Sequence, residues 1–106
     1  MSAAFWPQIE ALQGKTLHSV ARSKPYTVTA VTNAQVEVYV HDGGKTRVLY
    51  RKDLEPFYER LTRTGELSKK ELGTIYKING PLAVALLAAM QGVTATTNPI
   101  VLRYRR

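Results

Sequence analysis

Hydrophobic and polar residues alternate with a period of two through the first half of the chain. Apolar residues occupy every second position of 26–30 and 36–40, with polar residues or tyrosine between them. This pattern is typical of strands with one buried and one solvent-facing side. Turn-forming residues at 33–34 and 41–45 separate these strands from each other and from a third that follows. The segment 15–50 therefore predicts an antiparallel meander of three to four strands.

A short helix is predicted before this meander. The residues that share one face of this helix are Phe5, Trp6, Ile9 and Leu12, and Gly14 is placed to end it. We therefore expect residues 1–14 to form a helix that docks on the rest of a single domain through this apolar face.

After residue 50 the apolar period changes to about 3.6 residues, which is typical of a helix. Asp53 is placed to cap this helix, and Pro56 is expected in its first turn. Its apolar face is expected to consist of Leu54, Phe57, Tyr58 and Leu61. Gly65 is expected to end it, because glycine readily adopts the left-handed conformation that follows many helices.

Two further helices and a strand complete the predicted order. Ser-Lys-Lys-Glu at 68–71 matches a capping box, which opens a helix. Asn-Gly-Pro at 79–81 predicts a turn, and the apolar residues 81–90 predict a third helix that ends at Gly92. The segment 100–104 predicts a terminal strand with a basic end.

The order helix, turn, helix and terminal strand beside a meander resembles the winged-helix arrangement of helix-turn-helix DNA-binding proteins. The resemblance covers residues 51–106. The positions that carry it are Leu54, Phe57, Leu61, Gly65, the Ser68 capping box, the Asn79-Gly80-Pro81 turn, Arg103 and Arg105. Residues 61–68 and the apolar helix also resemble DNA-reading modules appended to bacterial restriction-type proteins. The resemblance implies that residues 51–106 form a three-helix winged-helix-like unit with a C-terminal strand. Together with the N-terminal helix and the meander predicted above, this gives an α+β fold.

Composition is that of one small globular domain over residues 1–106, with 44% hydrophobic and 22% charged residues. The chain contains no cysteine, which excludes a disulfide framework, a thiolate zinc site and a cysteine nucleophile. Because the N-terminus also lacks a secretory pattern, we expect a cytoplasmic protein. The longest apolar run, 81–90, is about half of the roughly 20 residues that a membrane-spanning helix needs, so no membrane association is expected.

Positive charge is the main indication of function. Fifteen Lys and Arg residues against eight Asp and Glu residues give a formal net charge of +7, and most of the excess follows Tyr50. This charge predicts a polyanionic partner, with nucleic acid, and DNA in particular, favoured over an acidic protein. The alternative interpretation is that the charge only keeps the protein soluble.

The predicted nucleic-acid-binding residues lie on the second helix of the 51–106 segment and at the C-terminal end. They are Lys69, Lys70, Thr74, Lys77, Arg103, Arg105 and Arg106. Side chains of this kind contact phosphates, which gives affinity with little sequence preference. The alternative is an ordinary solvated basic face. A second candidate surface combines cations with aromatic rings, as single-strand binders do, although such rings also pack on neighbouring strands. It comprises Arg22, Lys24, Tyr26 and Tyr39.

The apolar helix at 81–90 departs from the DNA-reading pattern. A helix that reads base edges needs Arg, Asn, Gln or Ser on its outer face, whereas 82–90 contains none of these residues. A helix that is apolar on every side is normally buried in its own domain or against another chain. The alternative function is therefore a protein-interaction or oligomerisation module, such as a homodimer, in which 81–90 binds the partner.

Catalytic and cofactor motifs are not predicted. Gly-Gly-Lys-Thr at 43–46 resembles part of a phosphate-binding loop, but Tyr39 stands where that motif requires glycine, and a strand is expected to follow. His18 and His41 are the two histidines of the sequence, and neither lies on a predicted helix that would hold a second metal ligand on the same side. We therefore expect no catalytic residue, no cofactor and no metal site, and a protein that is not an enzyme.

Overall fold

Four strands form an antiparallel sheet in the order of the sequence, here called the large sheet. The computed structural model describes residues 5–20, 22–97 and 99–105, with their side chains except those of residues 69 and 72–79. The strands of the large sheet are β1 (Thr16–His18), β2 (Pro25–Val31), β3 (Gln35–Val40) and β4 (Lys45–Tyr50). The predicted meander is confirmed, and β1 supplies its fourth strand.

The register of the large sheet aligns the alternating positions into two faces. Val28 pairs with Val38 and Val36 pairs with Leu49, and all four side chains are buried. The positions between them point to the opposite side of the sheet, because side chains alternate along a strand. The sheet therefore has an apolar inner face that belongs to the core and a polar outer face.

The N-terminal helix α1 (Phe5–Glu10) is anchored by its aromatic residues. The ring of Phe5 stacks on that of Tyr58, with 4.7 Å between the ring centroids. Trp6 is buried, and its Nε1 donates a hydrogen bond to the carbonyl oxygen of Thr32 at 2.7 Å. The apolar face predicted for this helix is confirmed, although the helix itself is shorter than expected.

Helix α2 (Arg51–Thr64) begins directly at the end of β4. Its N-cap residue is Tyr50, in extended conformation and without a side-chain cap, so the prediction that Asp53 caps the helix is wrong. Because the helix begins earlier than expected, Pro56 lies inside it and not in its first turn. Gly65, with φ of 85°, ends α2 as predicted and donates its N–H to the Leu61 carbonyl at 2.7 Å. The buried face of α2 is formed by Leu54, Tyr58 and Leu61.

The predicted second and third helices of the 51–106 segment are one helix. The capping box at 68–71 opens a 3₁₀ turn (Lys69–Leu72) that leads directly into α3 (Gly73–Ala88). The prediction of a turn at 79–81 is wrong, because Pro81 lies inside α3. The described residues form three α-helices where four were expected. A proline in a helix interior costs about 3 kcal/mol. Burial of the side chains at 82–87 offsets that cost, since each large apolar side chain contributes about 1.5–3 kcal/mol.

A second sheet of three antiparallel strands, here called the small sheet, closes the fold. Its strands are β5 (Glu66–Ser68), β6 (Val93–Thr96) and β7 (Val101–Tyr104), with β7 in the middle. Only β7 was predicted from the sequence, as a strand over 100–104. The coarse prediction of an α+β fold with a meander and a C-terminal strand is confirmed.

One hydrophobic cluster joins both sheets to the three helices. Leu67 of β5 and Leu102 of β7 are fully buried in it, together with Leu87 of α3. The side chains at 82–87 and Met90 are all buried within this chain, so the apolar helix segment lies in its own core. Among the described residues, no helix is long and apolar enough to cross a membrane.

Candidate nucleic-acid interface

The outer face of the small sheet carries the predicted C-terminal arginines. Leu67 pairs with Leu102, and these side chains point into the core. The adjacent positions of the same strands therefore point outward, where Arg103 on the middle strand lies between Glu66 on β5 and Thr94 on β6. Arg103 is exposed, so its guanidinium is accessible from solvent.

Arg103 is held in place by an ion pair with Glu66. Its Nη2 lies 3.3 Å from Oε1 of Glu66, and the two side chains are 53% and 59% exposed. An exposed ion pair of this kind is worth about 0–1 kcal/mol. A phosphate could therefore replace the carboxylate of Glu66 as the partner of Arg103 at little cost.

One hydroxyl group lies next to Arg103, and two more lie farther along the same face. Thr94 pairs with Arg103, and Ser68 and Thr96 both pair with Val101, two positions along β7. Thr94 and Thr96 are exposed, and Ser68 is half-buried. Guanidinium and hydroxyl groups are common partners of nucleic-acid phosphates. We call this surface the small-sheet face and define it by Ser68, Thr94, Thr96, Arg103 and Arg105.

Arg105 extends the small-sheet face beyond the end of β7. Its N–H donates a hydrogen bond to the carbonyl oxygen of Gly92 at 2.8 Å, which continues the pairing of β6 with β7. Because side chains alternate along an extended strand, Arg105 lies on the same side as Arg103, and it is exposed. The structure thus brings two of the predicted cations onto one face.

The other predicted binding residues are not gathered at these arginines. Lys70 is exposed, but it follows Ser68 at the end of the small sheet opposite Arg105. Arg106 and the side chains of Lys69, Thr74 and Lys77 lie outside the described residues.

The second predicted surface is divided by the large sheet. Tyr26 is buried on the inner face, as expected for a ring packed on neighbouring strands, whereas Tyr39 occupies the outer face. Lys24 donates a hydrogen bond from Nζ to the carboxylate of Asp42. These residues and the exposed Arg22 therefore do not form one surface.

The carboxylate of Asp42 forms an ion pair with the ammonium group of Lys24 at the protein surface. The hydrogen bond from Lys24 and the positive charge of that side chain lower the pKa of Asp42, while desolvation has a small opposite effect. Asp42 is therefore ionised throughout the neutral range, and its charge is matched locally by Lys24.

The outer face of the large sheet carries a row of polar side chains across all four strands. Thr16, Thr27, Tyr39 and Thr46 are cross-strand neighbours in this order. The Oγ1 atoms of Thr16 and Thr27 lie 2.9 Å apart, and Oγ1 of Thr27 lies 2.7 Å from Nε2 of His41. The Thr16 end of this row is thus joined by hydrogen bonds at the surface that faces solvent.

Tyr50 lies on the same outer face, at the other end of β4. It pairs with Gln35, four positions along β3 from Tyr39, so the two tyrosines are about 14 Å apart along the strands. Tyr50 is 46% exposed and is the exposed large hydrophobic residue of the described chain. Nζ of Lys52 lies 6.0 Å from the centroid of its ring. An aromatic ring and a cation therefore meet at the sheet surface.

Sequence reasoning missed the hydroxyls of the small-sheet face and the exposed position of Tyr50. Thr94 and Thr96 alternate with Val93 and Ala95, which is a strand pattern that a search for short strands would have detected. Tyr50 was assigned to a strand, but its outward direction follows only from the pairing of β3 with β4.

No protein-family model, curated protein or solved structure matches the chain. Across the parts of the chain that the structure describes, no three His, Asp or Glu side chains are grouped so that they could hold a metal ion.

Proposed function

We propose that the protein is a non-catalytic nucleic-acid-binding module that contacts phosphates of duplex DNA through the small-sheet face. The observation that carries this proposal is the position of Arg103 on the middle strand, next to the exposed Thr94 and followed by Arg105 on the same side. The net charge of +7 supports it, because positive charge raises the local concentration of a polyanion around the protein.

Contacts of this type favour weak sequence preference. Arginine and threonine side chains on a sheet surface contact phosphate oxygens, which are the same for every base pair. The apolar segment of α3 does not supply base contacts, because residues 82–87 are buried in the core. The proposal therefore assigns affinity to the small-sheet face and does not assign a recognition sequence.

The alternative proposal, a protein-interaction or homodimer module that uses 81–90, has less support. The side chains at 82–87 and Met90 are 5% exposed or less. Pro81 and Ala89 are the exposed positions of this segment, and they offer little apolar area to a partner. Binding of a partner through 81–90 would require the core around α3 to open.

Fluorescence anisotropy with a labelled 20-base-pair duplex at low salt tests the nucleic-acid proposal. The test variant carries Arg103→Gln and Arg105→Gln, and we expect its affinity to fall about tenfold or more, since hydrogen bonds to charged groups are the stronger ones. The matched control carries Arg22→Gln and Arg47→Gln, which removes the same charge from two exposed positions of the large-sheet region.

Two results would contradict the proposal. The first is the absence of duplex binding by the wild-type protein at low salt. The second is an equal loss of affinity in the test and control variants, because this would mean that net charge alone, and not the small-sheet face, determines binding.

A further inference from the structure

We infer that the outer face of the large sheet is a binding surface for single-stranded nucleic acid, on which Tyr39 and Tyr50 stack with unpaired bases. This inference rests on the proposed nucleic-acid-binding function. It adds a second binding surface, and it names single-stranded nucleic acid as the ligand of that surface. The small-sheet face would contact duplex phosphates, whereas the large-sheet face would contact bases that are free of a complementary strand. We define the large-sheet face by Thr16, Thr27, Tyr39, His41, Thr46 and Tyr50.

The aromatic rings are the first argument. An aromatic ring stabilises the fold when it is buried. Tyr50 is 46% exposed, so part of its ring surface is accessible to a ligand. Tyr39 is half-buried and contacts the ring of His41 edge-on, with 5.0 Å between the centroids. Sheets that bind single strands present aromatic rings on a solvent-facing side, because every base has a π-face that stacks on them.

The polar groups next to these rings are the second argument. Thr16, Thr27 and His41 form a hydrogen-bonded chain at the surface, and Thr46 is exposed beside Tyr39. Hydroxyl and imidazole groups can donate to or accept from the edges of an unpaired base. A base stacked on Tyr39 would therefore find hydrogen-bonding groups within the same row of the sheet.

Charge at the Tyr50 end of the face is the third argument and favours an anionic polymer as the occupant. The ammonium group of Lys52 lies 6.0 Å from the centroid of the Tyr50 ring, and Lys52 is exposed. Glu37, between the tyrosines, is half-buried and carries the opposite sign. A phosphate next to a base stacked on Tyr50 would therefore find its cationic partner in Lys52.

The register gives the surface enough length for more than one base. Tyr39 and Tyr50 are separated by about 14 Å along the strand direction, on neighbouring strands. A duplex cannot use these rings, because its bases are stacked on each other and paired. The two tyrosines therefore distinguish a single strand from a duplex.

Affinities for a labelled oligothymidylate and for a duplex of equal length test this inference on the whole chain. The variants are Tyr39→Ala and Tyr50→Ala, and their matched controls are Tyr39→Phe and Tyr50→Phe, which keep the ring. Loss of one stacked base is expected to weaken single-strand binding by roughly 5- to 100-fold. The phenylalanine variants are expected to bind the single strand within about twofold of the wild type, because the stacking face is retained. Duplex affinity is expected to stay unchanged in all four variants.

The outcomes separate this inference from the function on which it rests. Binding of neither polymer by the wild-type protein would remove the proposed function and this inference together. Single-strand binding that is unaffected by either alanine change would overturn the inference and leave the proposed function standing. An equal loss of affinity for both polymers would also overturn the inference, because removing a ring that stacks only on unpaired bases should leave duplex binding unchanged. Thermal unfolding of each variant shows whether the alanine proteins are folded at the assay temperature.

Discussion

Gly92 and Arg105 lie so close together that no side chain fits at position 92. A Cβ atom built on Gly92 collides with the carbonyl oxygen of Arg105 and lies 3.2 Å from Cε1 of Tyr104. The same backbone contact includes the hydrogen bond from the Arg105 N–H to the Gly92 carbonyl. Gly92 also has a φ of +80°, which L-residues with a side chain rarely adopt. The end of the small sheet, where Arg105 lies, therefore depends on glycine at this position.

Gly92→Ala is expected to lower the free energy of unfolding by more than about 2 kcal/mol. The left-handed backbone alone costs alanine about 1–2 kcal/mol, and the collision with Arg105 adds to that cost. Gly14→Ala is the matched control, because Gly14 has a φ of +86° but has no atom within 4 Å of the added Cβ. Urea denaturation of both variants measures the difference, and equal losses would show that Gly92 is not in close contact with Arg105.

Leu87→Ala is expected to lower the free energy of unfolding by about 2–5 kcal/mol, because Leu87 is fully buried in the core. Ala89→Ser is the control on the same helix end, where the side chain is exposed, and a change within about 0.5 kcal/mol is expected.

The wild-type denaturation midpoint is also expected to be independent of protein concentration. A midpoint that rises with concentration would instead indicate that the apolar segment is completed by another chain.

Ser68→Ala is expected to cost about 0.5–1 kcal/mol of stability. Oγ of Ser68 accepts a hydrogen bond from the Glu71 N–H at 3.4 Å, and Oε2 of Glu71 accepts one from the Ser68 N–H at 3.4 Å. These two bonds are the reciprocal capping box that the sequence predicts, and their length places the cost at the lower end of the usual range. Ser68→Thr keeps the hydroxyl group, so thermal unfolding should show a smaller loss than for Ser68→Ala.

The pairing of Lys24 with Asp42 is expected to make stability depend on pH in the acid range. The pKa of Asp42 is lowered in the folded protein by the hydrogen bond and the charge of Lys24, relative to about 3.9 in an unfolded chain. The stabilising contribution is therefore complete above about pH 4 and disappears as the pH falls through the folded-state pKa. In NMR titrations, Lys24→Gln should raise the pKa of the Asp42 carboxyl toward its ordinary value. An unchanged titration of Asp42 in this variant would show that the pair is not formed.

The meander, the apolar helix faces and the capping box were predictable because their signals are local. Alternation across 26–40 reflects burial of one sheet face, and Gly65 marks the end of α2 by its backbone conformation. The break at 79–81 was predicted on propensity alone. The tendency of Asn-Gly-Pro to form a turn is outweighed there by burial. The residues after Pro81 are buried on all sides, so the helix continues into the core.

The strand pairing of the small sheet and both candidate faces could not be predicted from local patterns, although β6 shows the alternation of a strand. Strand β5 has three residues, and it pairs with β7 across more than 30 positions of sequence. The cations near the C-terminus were selected by their charge alone. The placement of Arg103 directly across from Glu66 depends on the long-range pairing of β5 with β7. The exposure of Tyr50 likewise depends on its place at the junction of β4 and α2.

The salt dependence of duplex binding tests the central proposal most directly. If Arg103 and Arg105 each neutralise at least one phosphate, the logarithm of the binding constant should fall with the logarithm of salt concentration with a slope of about −2 or steeper. Removing Arg103 and Arg105 together should reduce the magnitude of that slope by about 2. A slope near zero, or one that the double variant leaves unchanged, would contradict phosphate binding by this face.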